Sequence, residues 1–281
     1  MNSTPQPNET PGRRTPPVFV INLERSTERR EKISLQLNEI GLDFELVTAT
    51  DGAALSRSDR AAYNEAHVIS NISRPMSAAE VGCYISHAKL WQRVVAEDIP
   101  WAVILEDDIL IEADLKTILS AVDRLTFKWD VIRLAGLIDT PSQPLFELSG
   151  NRTLSVPLQG ASGGQAYCLS RAGARKLLAY STTIRGTVDD HVIDNCWKTG
   201  LEILAVQPYP IVEDKGHSSN IEPDRKELFQ AYRGPRKKRR SIRQLLIRRR
   251  YKIGRSLGRR YYYFIHYLLA IRMKMLHRSM R

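Results

Sequence analysis

Apolar positions along the chain fall into two spacings, and their alternation lays out the fold. Pro17 to Leu23 (PVFVINL) is a short β-branched run followed by polar residues, the pattern of a buried strand. A helix is predicted next, capped by Ser26 or Thr27, with Ile33, Leu37 and Ile40 on one face and Gly41 at the C-terminal cap position. Phe44 to Ala49 predicts a second strand, so the chain opens β-α-β. Ser77-Ala78-Ala79-Glu80 has the form of a capping box, and Val81, Tyr84, Ile85, Ala88, Trp91 and Val95 then recur at helical spacing. Trp101 to Leu105 predicts a third strand, Leu115 to Leu125 a helix and Asp130 to Leu134 a fourth strand. The Pro, Ser and Gly content from Gly136 to Asn151 predicts a long loop. A strand over Gly164 to Leu169, helices over Ser170 to Tyr180 and Val188 to Trp197, and a strand over Glu202 to Gln207 that closes the sheet complete the pattern. Strands alternating with helices predict an α/β fold whose central sheet is mostly parallel and covered by helices.

Charge divides the chain differently. Of the 42 Lys and Arg, 18 lie in residues 233 to 281, which hold no Asp or Glu; the rest of the chain has 24 basic against 31 acidic residues, a net of −7. An acidic body with a cationic tail predicts three parts: a flexible leader over 1–16, a folded body over 17–232 and a basic tail over 233–281. Such a tail seeks an anionic polymer or surface, and either nucleic acid or anionic lipid fits. Cys83, Cys168 and Cys196 are widely spaced and odd in number, which predicts neither a disulfide framework nor a zinc site and fits a reducing compartment. The first 17 residues lack the apolar core of a signal peptide, and the longest apolar candidate, Tyr261 to Ile271, is well short of the ~18 residues that span a bilayer. A cytoplasmic location is therefore expected.

The sharpest chemical signal is Glu106-Asp107-Asp108, three acids at the end of the apolar strand Trp101 to Leu105. Ligands of open α/β sheets bind outside the carboxyl ends of the strands, and adjacent carboxylates repel unless a cation or solvent screens them. Mg²⁺ or Mn²⁺ bridging carboxylates to nucleotide phosphates fits this chemistry; a solvated acidic turn fits it too.

Four blocks give the chain a family resemblance. They are Val20-Ile21-Asn22-Leu23-Glu24-Arg25-Ser26-Thr27-Glu28-Arg29-Arg30; Val81-Gly82-Cys83-Tyr84-Ile85-Ser86-His87 with Trp91; Val103 to Asp108; and Gly164-Gln165-Ala166-Tyr167 with Ser170, Gly173, Ala174, Lys176, Leu177 and Leu178. In order and spacing these resemble glycosyltransferase family 25, the lipooligosaccharide galactosyltransferase type. The resemblance implies a GT-A type fold, a UDP-sugar donor (usually UDP-galactose), inversion at the anomeric carbon and a lipid-linked saccharide acceptor. It makes Glu106-Asp107-Asp108 the acidic metal and ribose motif; within that frame Asp108 is the metal ligand, Glu106 turns toward the metal or the ribose, Asp107 contributes to the donor site, and His217, otherwise an exposed loop histidine, is the candidate further ligand from the C-terminal side.

Other residues take candidate roles within that frame. Asn22, Arg25 and Arg29 stand at a helix start, where free N–H groups and the dipole favour an anion such as a nucleotide; a charged helix face with a Glu28–Lys32 pair is the alternative. Ser86 and His87 are candidates to line the site, against a core histidine bonded to backbone. An inverting transfer needs one general base on the acceptor hydroxyl, and Asp189 or Asp190 is the candidate, although two acids in a first turn also suit the helix dipole. Gly163 and Gly164 allow close backbone approach. A metal-dependent nucleotidyltransferase or hydrolase would use the same acids. A nucleic-acid-binding protein would use Arg236 to Arg240 and Arg248 to Arg250, but the acidic body weighs against it. The favoured partner of the tail is an anionic membrane, with a disordered basic tail as the alternative; the resemblance, through its lipid-linked acceptors, implies the cytoplasmic face of a bacterial inner membrane.

Overall fold

The computed structural model describes residues 16–72, 74–189, 193 and 199–216, with isolated positions between 225 and 271. The predicted opening forms as β1 (Val18–Asn22), α1 (Thr27–Glu39) and β2 (Glu45–Thr48). Ile33 and Leu37 of α1 are fully buried, and Gly41 follows with φ +64°, the left-handed cap conformation its position calls for. A short 3₁₀ turn (Gly52–Ala54) and the helices α2 (Arg57–Ala61) and α3 (Glu65–Ile72) come next. The capping box then starts α4 (Ala78–Ala96): Glu80 N donates to Ser77 Oγ at 3.1 Å and Ser77 N to Glu80 Oε2 at 2.9 Å. Arg74, also buried, clamps the same Glu80 with two bonds of 2.6 Å.

After α4 come β3 (Trp101–Glu106), β4 (Ile109–Ile111), α5 (Leu115–Asp123), β5 (Val131–Arg133), β6 (Ser142–Ser149), β7 (Arg152–Pro157), β8 (Ala166–Ser170), α6 (Arg171–Tyr180), β9 (Ile203–Gln207) and β10 (Ile211–Glu213). Eight strands form one sheet in the order β2-β1-β3-β8-β5-β9-β7-β6, and β10 pairs with β4 in a separate ribbon. The pairings are parallel for β1 with β2, β1 with β3 and β5 with β9, and antiparallel elsewhere, so six strands of this sheet share one direction and β7 and β8 run against it.

Both faces of the sheet are buried, which is why the central strands read as continuous apolar runs. Val18, Val20, Val103 and Leu105 face one core with Ile33 and Leu37 of α1 and Leu115 and Ile118 of α5. Phe19, Ile21, Ala102 and Ile104 face the other with Trp91 and Val94 of α4 and Leu177 of α6.

Two expectations are corrected. The stretch read as a loop over Gly136 to Asn151 contains β6, the sheet's outer strand. Pro144 is tolerated there because an edge strand leaves half its N–H groups unpaired, and the register breaks at Pro144/Phe146 and Glu147/Ser149. The strand read as closing the sheet, β9, lies inside it between β5 and β7. The helix expected over Val188 to Trp197 falls mostly outside the described residues, as does most of the basic tail.

Candidate active site

Strands β1, β2 and β3 are parallel neighbours, with Ile21 in register with Glu106 and Asn22 with Thr48. Their carboxyl ends therefore meet, and the chain leaving each one contributes to a cleft of about 200 Å³. Its wall includes Leu23, Arg25 and Arg29 after β1, Thr50 to Ala53 after β2, Glu106 to Asp108 after β3, and Ala78, Ala79, Cys83, Ser86 and His87 from α4. Strand β8 runs the opposite way beside β3, so its entry segment reaches the same end: Glu106 N donates to Gln165 O at 2.7 Å.

The three adjacent acids point to three different sets of partners. Glu106 Oε1 lies 3.2 Å from His87 Nε2. Asp107 accepts from Asn22 Nδ2 at 2.6 Å and from an Arg29 N–H at 3.1 Å. Asp108 accepts from Arg29 at 3.2 Å through one oxygen, while its other oxygen, Oδ1, is buried without a hydrogen-bond partner. One guanidinium is thus shared by two of three carboxylates. Burial, followed by the neighbouring Glu106 carboxylate, pushes Asp108 up to about 7 against the pull of Arg29. Burial also raises Asp107, opposed by Asn22 and Arg29. The Cys83 thiol is held well above its ordinary range, by burial first and then by the carboxylates of Glu106, Asp189 and Asp108. The floor of the cleft thus holds three neighbouring carboxyl groups in a buried setting that disfavours their full ionisation.

That chemistry fits a divalent cation. Asp108 Oδ1 is an orphaned buried acceptor, and hard oxygen donors suit Mg²⁺ or Mn²⁺. A second donor set exists in Cys83, His87 and Glu106, whose ligand atoms lie within 4.8 Å of one another. His217 lies outside the described residues.

The arginines at the start of α1 do not form the charged helix face of the alternative reading. Arg29 is buried against the acids, Arg25 pairs with Asp51, and Lys32 pairs with Asp214 rather than with Glu28. Arg25 and Asp51 both line the cleft and remain accessible there. His87 is fully buried, but its partners are side chains, Glu106 and the Tyr167 hydroxyl, and not backbone. Ser86 Oγ donates to Gly82 O and accepts from Thr50 N, both at 2.8 Å, tying the loop after β2 to α4. Asp189 lies outside the cleft wall; its Oδ2 accepts from Gly163 N at 3.0 Å, in the segment that leads through Gly164 to Glu106. Asp190 is outside the described residues.

Sequence reasoning missed the loop after β2. Asp51-Gly52 is a turn signal, and applying the strand-end rule to β2 as well as β3 would have found it. It also missed why Gly82 stands on α4: a Cβ there would lie 2.4 Å from Thr50 O and 2.8 Å from Gly52 N. Gly82→Ala is therefore expected to destabilise the protein by about 1–3 kcal/mol, lowering Tm by roughly 2–4 °C per kcal/mol, even though alanine is the better helix former. Thermal melts check this, and a Tm at or above wild type would contradict the close approach.

A mixed α/β sheet with an acid-lined cleft at its strand ends defines the class, an α/β protein with its candidate site outside the carboxyl ends of its strands. Residues 15–193 match the model of glycosyltransferase family 25, described as an LPS biosynthesis protein family. The chain belongs to glycosyltransferase family 25. It is 31% identical over 176 residues to procollagen galactosyltransferase 1-B of Xenopus laevis, covering 57% of this chain and 28% of that protein. It is 35% identical over 169 residues to a glycosyltransferase 25 family member of Aedes aegypti, covering 57% and 27%. It is also 31% identical over 175 residues to the inactive glycosyltransferase 25 family member 3 of Homo sapiens, covering 58% and 28%. The chain thus matches less than a third of the length of these relatives. Among solved structures, a glycosyltransferase involved in glycosylation of the major capsid of PBCV-1 aligns with a TM-score of 0.39 and 9% identity, over 77% of this chain and 98% of that one.

Proposed function

We propose that this family 25 glycosyltransferase is an inverting, metal-dependent enzyme that moves a hexose, galactose foremost, from a UDP-sugar to a lipid-linked saccharide such as lipopolysaccharide core. The observation that carries the reading is the Glu106–Asp108 triplet on the cleft wall at the end of β3, with its one shared guanidinium and its orphaned oxygen. Asp108 and Glu106 would hold Mn²⁺ or Mg²⁺, and a cation bound there supplies charge neutralisation for the departing diphosphate. The other steps fall to the chain. Asn22 and Arg29 fix the Asp107 carboxylate, and Arg25 stands exposed at the cleft to meet an anionic donor. Asp189 or its neighbour Asp190 takes the proton from the acceptor hydroxyl as the new bond forms. The galactosyltransferase names among the relatives support the choice of sugar, and the inactive relative makes an activity measurement necessary.

Incubation with a panel of UDP-hexoses, Mn²⁺ and a lipid-linked oligosaccharide, followed by product analysis, tests this. The expected product is an acceptor one hexose heavier with inverted anomeric configuration. Free hexose or a transferred nucleotide would place the protein with the hydrolases or nucleotidyltransferases instead.

The proposed location is the cytoplasmic face of a bacterial inner membrane, reached through residues 233–281. No helix among the described residues is long and apolar enough to cross a bilayer. Phe264, Tyr267, Leu268 and Ile271 are helical and exposed, and their spacing of i, i+3, i+4 and i+7 is that of an apolar face lying in an interface. The basic clusters around them each contribute on the order of 1 kcal/mol per residue near anionic lipid. Full-length protein is expected to co-sediment with anionic liposomes at low salt and the 1–232 truncation to lose that binding. Equal binding by the two would exclude the tail as anchor. A strong, salt-sensitive affinity for DNA without nucleotide-sugar binding would favour the nucleic-acid reading.

A further inference from the structure

We propose that Tyr167 is a positioning residue: its hydroxyl donates to His87 Nδ1 and so sets the ring hydrogen on Nε2, where it holds the Glu106 carboxylate in place in the cleft. The inference rests on the reading of Glu106 as part of the donor site. Three buried side chains form a line behind that carboxylate. Trp91 Nε1 lies 2.8 Å from the Tyr167 hydroxyl, that hydroxyl lies 2.9 Å from His87 Nδ1, and His87 Nε2 lies 3.2 Å from Glu106 Oε1. Trp91 and His87 are one turn apart on α4, and Tyr167 comes from β8, its ring stacked on the imidazole at 5.8 Å and 20°.

Following the hydrogens settles the direction of the line. An indole nitrogen only donates, so Trp91 gives its hydrogen to the Tyr167 oxygen. Burial holds the Tyr167 hydroxyl far above its ordinary range, so it keeps its own hydrogen. Among the described residues, the one acceptor in reach of that hydrogen is His87 Nδ1. Nδ1 must then be the unprotonated nitrogen, and the ring's hydrogen sits on Nε2, facing Glu106. Placing the ring hydrogen on Nδ1 leaves the Tyr167 hydrogen buried without an acceptor.

The same reasoning bears on the second donor set. A cation at Cys83, His87 and Glu106 would need the Nε2 lone pair and hence a proton on Nδ1. The relay opposes this, and leaves the cation to the Asp108 side of the cleft. It also gives a role to the block that places Trp91 one helical turn after His87.

Long-range ¹H–¹⁵N correlation spectra of the full-length, metal-free protein labelled with ¹⁵N-histidine report the tautomer directly; His87→Gln identifies the signal. The His87 signal is expected to be that of a ring with its hydrogen on Nε2 and Nδ1 bare. In Tyr167→Phe, which keeps the ring packing, the signal is expected to lose that single form and the affinity for UDP-galactose with Mn²⁺ to fall about tenfold or more, with the circular dichroism spectrum unchanged. A wild-type ring protonated at Nδ1, alone or together with Nε2, overturns the proposal. So does a Tyr167→Phe protein that keeps both the Nε2 form and wild-type donor affinity. The tautomer is read without substrate, so failure of the transferase reading leaves this arm standing, and the spectra of the two proteins then decide; a Tyr167→Phe protein that does not fold leaves the decision to the wild-type spectrum.

Discussion

Asp108→Asn is expected to reduce sugar transfer by at least about a thousandfold, equivalent to roughly 4 kcal/mol of lost transition-state stabilisation. The substitution preserves shape and the local bonds: an amide oxygen can still accept from Arg29, and the backbone bond from Asp214 N to Asp108 O at 2.9 Å does not involve the side chain. What disappears is one negative charge and the orphaned acceptor that suits a cation. The metal-free protein should not lose stability. Burial and Glu106 already push the Asp108 carboxyl up to about 7, so the ionised form is disfavoured in the folded state and its replacement relieves that repulsion. The sign follows from the raised value: this group's drag on stability is absent near pH 4 and grows as pH rises toward 7. Steady-state kinetics with Mn²⁺ and melts in chelator separate the two effects. Near-normal transfer, or a variant that unfolds at neutral pH without metal, would contradict the assignment.

Asp189→Asn is expected to lower turnover by about 10²–10⁴-fold while the KM for the sugar nucleotide changes little, because a general base acts on the acceptor in the transition state and not on the bound donor. An asparagine oxygen can replace the carboxylate as acceptor for Gly163 N, bonded at 3.0 Å in the wild type, so the loop that leads to Glu106 stays in place. Comparison with Asp190→Asn assigns the role. If Asp190→Asn shows the loss and Asp189→Asn does not, the neighbour is the base; if both retain turnover, neither is.

The parts of this arrangement that were legible in the sequence are those set by local rules. The strand–helix opening, the capping box at Ser77–Glu80 and the acids at the end of Trp101–Leu105 follow from spacing and cap chemistry, and each forms where the pattern put it. The parts that were not legible depend on pairing across long sequence separation. Nothing in Ser142 to Ser149 distinguishes an edge strand from a loop until β7 is beside it, because its Pro and Ser content is tolerated only at an edge. Arg29 was legible as an anion-seeking arginine, but its partners turned out to be Asp107 and Asp108, 78 and 79 residues away. His87 carried a family signal without a mechanism, and its meaning came from Tyr167 on a strand 80 residues later. Asp190 and His217 stand as the sequence left them, outside the described residues.

Binding of a UDP-sugar to the acid-lined cleft through a divalent cation is measured by a thermal-shift panel of UDP-sugars with Mn²⁺ or with chelator. A ligand at a hundred times its Kd stabilises the folded state by about 2.7 kcal/mol, which for a chain of this size is a Tm rise of roughly 5–10 °C. That rise is expected for UDP-galactose or another UDP-hexose with Mn²⁺, and it is expected to vanish in chelator and in Asp108→Asn. No shift with any UDP-sugar, or an equal shift with and without the metal, would contradict it.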